Sequence, residues 1–234
     1  MSETEGNGKM KLQEVDMQQD VIVIGISGAS CSGKSTVSHE LHSELGGKTR
    51  CALLCQDTAF DVHKIYEQLG GNWEAPEALD HDRFHEQVIA AIRAGHETLS
   101  VKGKGCQPPS PFYVILEGFL LFHDERLVRL MHLRVWLEID KDLCYQRRMA
   151  TKSVPEDYFH SKLWPQHVEY RRRVMGSQPL KESLLVLKGT ATKERLISCL
   201  MDQSRAFEQK PFFAVGLASV QTPEERVNSA SSSA

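Results

Sequence analysis

Residues 21–26, VIVIGI, run without a polar break into GISGASCSGKST (25–36), and helix-period residues follow at once. A buried strand, a turn of small residues and a helix in immediate succession leave few architectures open. Within the turn, Gly28-Ala29-Ser30-Cys31-Ser32-Gly33-Lys34-Ser35 fits the pattern G-x-x-x-x-G-K-[ST]. Glycines at those places let backbone N–H groups face inward around phosphate oxygens, and the lysine neutralises the outer ones. Ser35 is placed to offer its hydroxyl to Mg²⁺. A helix expected over 35–45 points its positive end at the same oxygens. Gly28 to Thr36 are therefore the expected binding residues for a magnesium nucleotide, with Lys34 also acting in catalysis.

The rest of the chain repeats the alternation. Short apolar runs at VIVIGIS (21–27), CALLC (51–55), FYVILEG (112–118), LRVWLEI (133–139) and LLVL (184–187) predict buried strands. Val37, Leu41 and Leu45 recur at helical spacing, and Phe84, Val88, Ile89 and Ile92 mark a second amphipathic stripe. Strands separated by helices predict a three-layer α/β sandwich around a mainly parallel five-stranded sheet, with ligands at the carboxyl ends of the strands. A length of 234 residues, 41% of them hydrophobic, fits one domain. The polar stretches at 1–19 and 219–234 read as a flexible leader and tail around a domain at 20–218.

A net charge of -3 and a pI near 6.4 argue against a nucleic-acid partner and for small molecules. No apolar run reaches the roughly 20 residues of a membrane span, so a cytoplasmic location with no membrane partner is expected. Six scattered cysteines without a Cys-x-x-Cys pair suggest neither zinc nor a disulfide framework. His81 and His85 share a helix face but lack a third ligand, so Mg²⁺ is the only metal expected.

Several nucleotide-using classes recede. Neither Asn-Lys-x-Asp nor Asp-x-x-Gly, both needed by a GTPase switch, occurs in the chain. Mechanical ATPases end their second key strand in Asp, whereas FYVIL runs into Glu117-Gly118. A single strand-end carboxylate beside glycine suits a site that admits both metal and a small acceptor. Strand CALLC delivers Gln56-Asp57 to its own end, so two acids converge on the phosphate region. Phosphoryl transfer needs a base for the nucleophile and a group to order the metal, which suits Asp57 and Glu117 in that order of preference for the base. Arg147 and Arg148, near the end of a predicted helix, supply cations from a short lid that excludes water.

In Asn72-Trp73-Glu74-Ala75-Pro76-Glu77-Ala78-Leu79-Asp80 an aromatic ring stands beside an acid. Such a pair either stacks a flat cationic ring while holding ribose hydroxyls, or serves as a core anchor and a helix start. Trp164-Pro165 reads as structural, with proline in a first helical turn and tryptophan packing that helix on the sheet.

Taken together, GISGASCSGKST, Gln56-Asp57, NWEAPEALD, LEGFLLF (116–122), the paired arginines and DYFHSKLWPQHVEYRRR (157–173) resemble the nicotinamide riboside kinases of the uridine kinase-like P-loop kinases. The resemblance spans roughly residues 21–195. It implies transfer of the ATP γ-phosphate to the 5′-hydroxyl of nicotinamide riboside, in the synthesis of NAD, by a monomer or homodimer. It implies that Asp57, Thr58, Phe60, Trp73, Glu74 and Arg148 contact the acceptor, and that Ser35, Asp57 and Glu117 attend Mg²⁺. Arg147, Ala191 and Thr192 would hold ATP, although Lys188-Gly189-Thr190-Ala191-Thr192 also reads as a plain strand-to-helix turn. Three positions depart from the pattern: Glu74 replaces an aspartate, Thr58-Ala59-Phe60 replaces Asp-Phe-Phe, and the lid lacks a second aromatic, with Lys152 as a substitute lid cation. Those departures leave open a uridine/cytidine-type kinase or an inactive nucleotide-binding module.

Overall fold

The computed structural model describes residues 21–102, 110–151 and 155–208. The proposed leader, the tail, the end of the domain near 218, Cys106 and Lys152 lie outside the described residues. Five strands form one parallel sheet: β1 (Val21–Gly28), β2 (Cys51–Cys55), β3 (Phe112–Glu117), β4 (Leu133–Glu138) and β5 (Leu184–Lys188). Their order across the sheet is β2-β3-β1-β4-β5. Each falls on one of the apolar runs, because a strand covered on both faces needs apolar residues at successive positions. β1 and β3 are buried throughout, whereas the edge strands β2 and β5 are mostly half-buried, so the expectation of fully buried strands fails at the edges.

Helices α1 (Lys34–Glu44), α2 (Val62–Glu67), α3 (His81–Lys102), α4 (Glu125–Leu130) and α5 (Lys141–Thr151) follow in chain order. Then come α6 (Glu156–Tyr158), a π turn at Phe159–Leu163, α7 (Trp164–Gly176), α8 (Gln178–Lys181) and α9 (Lys193–Glu208). The two-residue period of β1 sorts the layers. Ile22, Ile24 and Ile26 pack with Val37 and Leu41 of α1 and Leu196 and Leu200 of α9. Val21 and Val23 face the other way, toward Phe84 and Val88 of α3 and Tyr170 and Val174 of α7.

A third, smaller cluster joins Ala29 of the glycine-rich loop to Ile139, Cys144, Phe159 and Leu163. Trp164 belongs here, 6.2 Å from the Phe159 ring and 5.0 Å from His167, and does not pack α7 on the sheet as expected. The sheet-facing tryptophan is Trp136 of β4, fully buried and stacked on His167. Pro165 sits in the first turn of α7 as expected. Proline cannot donate the hydrogen bond that a continuous α-helix requires, and the π turn just before it takes up the mismatch.

β1 lies between β3 and β4, so its C-terminal loop opens where the crossovers diverge to opposite sides of the sheet. Open α/β sheets hold their ligands in that crevice.

Candidate active site

The loop after β1 folds as the glycine pattern requires. Gly28 has φ +144°, and a Cβ there would lie 2.4 Å from the Leu137 carbonyl oxygen of β4. Gly33 turns the chain into α1 at φ +101°. Cys31 adopts φ 59°, a left-handed conformation uncommon outside glycine and asparagine. Lys34 is buried, and its Nζ donates to the Ala29 carbonyl at 2.8 Å. Burial pulls its pKa below the usual lysine value, opposed by the charges of Glu117 and Asp57. The buried Ser32 Oγ has no hydrogen-bond partner among the described residues, a demand that a bound phosphate oxygen could meet.

Both acids reach this loop. β2 and β3 pair Cys55 with Glu117, which sets Asp57 and Glu117 at neighbouring strand ends. Glu117 is 6% exposed and accepts a hydrogen bond from Ser35 Oγ at 3.0 Å. Asp57 lies in the 3₁₀ turn Gln56–Ala59. The buried Gln56 fixes the step between the two: its Oε1 accepts from Leu120 N–H at 3.1 Å. It lies so near Gly118 that a Cβ there would fall 2.3 Å from that oxygen. Beside Glu117, burial and the carboxylate push the Cys55 thiol up to about 12.

Ser30, Cys31, Lys34, Ser35, Asp57 and Glu117 line a cavity of about 300 Å³ together with Phe60, Trp73, Glu74, Phe119 and Arg148. Phe60 meets Trp73 edge-on at 5.1 Å and stacks on Phe119 at 6.0 Å. Trp73 is half-buried on the cavity wall, which decides against a core anchor. Glu74 is buried, and desolvation raises its pKa while Arg148 and Lys34 oppose the rise. Tyr158 Oη accepts from Trp73 N–H at 3.0 Å and stands 3.5 Å from Glu74 Oε1.

Thr58 does not line the cavity. It is exposed, and its hydroxyl donates to the Cys55 carbonyl at 2.8 Å, closing the turn that presents Asp57. Phe119 and Tyr158 were missed by sequence reasoning. Phe119 stood in the quoted LEGFLLF and Tyr158 in DYFHSKLWP, so the signal was present without an assignment.

A second cavity, of about 460 Å³, opens on the other side of the loop. Gly33, Thr36, Arg147, Gly189, Ala191 and Lys193 are among its walls. Arg147 donates to the carbonyls of Cys31 at 3.2 Å and Gly189 at 3.3 Å, while Arg148 Nη1 donates to Ser30 Oγ at 2.7 Å. The two arginines thus serve different cavities. Thr192 is absent from the walls: its hydroxyl oxygen accepts from Arg195 N–H at 3.4 Å at the start of α9. The plain-turn reading holds for Thr192, and Ala191 alone of that pair faces the cavity. Gly28 and Ala29 are also absent from the walls of these two cavities, Gly28 lying against β4 and Ala29 in the third cluster.

No group of three or more His, Cys, Asp or Glu side chains among the described residues is arranged to hold a metal alone. Ser35, Asp57 and Glu117 offer hard oxygens beside a phosphate cradle, which fits Mg²⁺ held partly by protein and partly by a nucleotide.

A parallel sheet, a phosphate loop at its switch point and carboxylates at the neighbouring strand tips define a P-loop phosphotransferase. The chain belongs to the phosphoribulokinase/uridine kinase family, whose model matches residues 23–153. It is 31% identical over 142 residues to the uridine kinase of Vibrio campbellii, covering 55% of this chain and 67% of that protein. It is 27% identical over 180 residues to human nicotinamide riboside kinase 1, covering 74% and 87%. Among solved structures, a gluconokinase from Sinorhizobium meliloti 1021 aligns at a TM-score of 0.48 with 15% identity, covering 81% of this chain and 95% of that one. Members of such a family generally use ATP and Mg²⁺.

Proposed function

We propose that this protein is a cytoplasmic ribosylnicotinamide kinase, transferring the γ-phosphate of ATP to the 5′-hydroxyl of nicotinamide riboside to give nicotinamide mononucleotide for NAD synthesis. The observation that carries the reading is the lining of the cavity, where Phe60 packs on both Trp73 and Phe119 and the buried Glu74 follows the tryptophan. A pyridinium is flat and cationic, so aromatic faces and carboxylates both favour it. A pyrimidine is recognised by hydrogen bonds along its edge, and no Asn or Gln is among the residues that line this cavity.

The roles follow from position. Asp57 accepts the proton of the acceptor hydroxyl as its oxygen bonds to the γ-phosphorus and the bond to the β-phosphate oxygen breaks. Ser35 and Glu117 would hold Mg²⁺, which when bound would neutralise charge on the phosphate oxygens. Lys34 leaves the Ala29 carbonyl for the outer phosphate oxygens, and Arg148 meets the transferring group from the lid side. Glu74 accepts hydrogen bonds from ribose hydroxyls, with the Tyr158 hydroxyl beside it.

A uridine/cytidine-type kinase is the second reading, favoured by the likeness to the Vibrio enzyme. A panel of ribosides assayed with Mg-ATP separates the two. We expect kcat/KM for nicotinamide riboside at least ~10-fold above those for uridine and cytidine, about the discrimination one misplaced polar contact gives. Turnover of uridine with none of the pyridine riboside would overturn the assignment.

A further inference from the structure

Trp73 and Glu74 sit on a turn between α2 and α3, with no regular strand or long helix to hold them. A wall built on a loop is a poor selector unless something fixes it. One side chain from a distant part of the chain does so. Tyr158, 85 positions away from Trp73, is the last residue of α6, on the segment that follows the lid arginines. Its hydroxyl oxygen accepts the Trp73 N–H at 3.0 Å and lies 3.5 Å from Glu74 Oε1, the one acceptor among the described residues that it can turn its proton toward beside that bond. Thus a single hydroxyl engages the backbone under the aromatic wall and the carboxylate beside it.

The surroundings leave it little freedom. Tyr158 packs against the third cluster, whose Phe159 and Leu163 are buried. The Trp73 ring meets Phe60 at 5.1 Å and Tyr66 at 6.0 Å, both nearly perpendicular to it, so ring plane and backbone are fixed by different partners. The Glu74 N–H is taken by Asn72 Oδ1 at 3.2 Å, which steadies the turn locally but leaves the Trp73 N–H to Tyr158.

We infer that Tyr158 is a positioning residue for acceptor recognition: its hydroxyl clamps the Trp73-Glu74 turn to α6 and so fixes the wall against which the acceptor's ring and ribose are read. This deepens the kinase reading and rests on it. The clamp acts on ground-state and transition-state binding alike, because it shapes the acceptor wall and does not touch the transferring phosphate. Its loss therefore belongs in KM for the acceptor, with kcat and KM for ATP spared.

Tyr158→Phe keeps the ring in its packing and removes only the hydroxyl. Kinetics should be run on wild type and variant with Mg-ATP and whichever riboside the wild type turns over best, beside hydrogen exchange at the Trp73 amide. The expected result is an acceptor KM raised about 10-fold, the scale of a lost buried hydrogen bond, with kcat and KM for ATP within about 2-fold. Exchange at the Trp73 amide should quicken by about 10-fold or more as its acceptor disappears. An unchanged acceptor KM overturns the inference even where exchange quickens, and so does a loss confined to kcat. If the wild type phosphorylates no riboside, the kinase reading falls by itself, and unchanged exchange at Trp73 would overturn the clamp separately.

Discussion

At the scale of single residues, the two strand-end acids are separated by their surroundings. Glu117 is buried and holds Ser35 Oγ, whereas Asp57 is exposed on a 3₁₀ turn at the cavity wall. A base must reach the acceptor hydroxyl, and a metal-ordering acid must stay with the P-loop serine. The division predicts different failures. Asp57→Asn should lower kcat by at least about 10²-fold and disturb the Mg²⁺ requirement less than a change at Glu117 does. Glu117→Gln should shift the Mg²⁺ concentration for half-maximal turnover upward by about 10-fold, which a Mg²⁺ titration of the initial rate measures. Lys34→Ala removes a buried cation that interacts with both acids and should reduce turnover by at least about 10²-fold, because charge on the transferring group then loses one of its counter-charges. Equal Mg²⁺ dependence in the two acid variants would reverse or merge their roles.

At the scale of elements, the site is a junction of loops that meet at Gly189. A Cβ at that position would lie 2.7 Å from the Ser32 carbonyl oxygen and 3.1 Å from that of Glu138, both backbone. Its own N–H donates to the Glu138 carbonyl at 2.7 Å and its carbonyl accepts from Arg147. The turn after β5, the phosphate loop after β1 and the lid helix α5 are thus locked through one residue without a side chain. Gly189→Ala must push the phosphate loop, since neither backbone oxygen can swing aside as a side-chain tip would. We expect KM for ATP to rise about 10-fold or more and stability to fall by ~1–3 kcal/mol, read by kinetics and urea unfolding, with acceptor KM nearly unaffected.

The same junction shows what the sequence could reveal. Strand tips and the loop between them are local: an apolar run, a glycine at fixed spacing and a polar step at the end announce Lys34, Asp57 and Glu117 without reference to distant residues. Thr58 and Thr192 lie off the cavity walls, and their sequence could not show it, because a short hydroxyl next to a proposed site residue looks the same whether it faces the cavity or closes its own turn. Trp164 was misread for a related reason, since the neighbour it packs on, Phe159, lies across a π turn that shifts the helical register. Tyr158 and Phe119 needed the tertiary structure, because what gives each its place is a contact between segments far apart in the chain.

At the scale of the whole molecule, two histidines make stability depend on pH. His132 Nδ1 accepts the Val23 N–H at 2.9 Å, tying the start of β4 to the central strand β1, and an imidazole can accept there only while neutral. Burial, aided by Arg134, lowers its pKa from 6.5 to about 4. His167, stacked on Trp136 between α7 and the sheet, is lowered from 6.5 to about 4 chiefly by burial. In both cases the unfolded chain binds the proton more readily than the folded one. Their contribution is therefore complete above about 6.5 and is lost as pH falls toward about 4. Glu74 works in the opposite direction: with its pKa raised by burial, protonation favours the folded state and offsets part of the loss. Urea midpoints measured between neutrality and mild acid should fall steeply across that window. His132→Asn, whose side-chain oxygen can take the same Val23 N–H without titrating, should make the fall shallower, and Glu74→Gln should make it steeper. An unchanged slope in His132→Asn would mean that the bond between β1 and β4 survives protonation, and the acid sensitivity would then have to arise elsewhere.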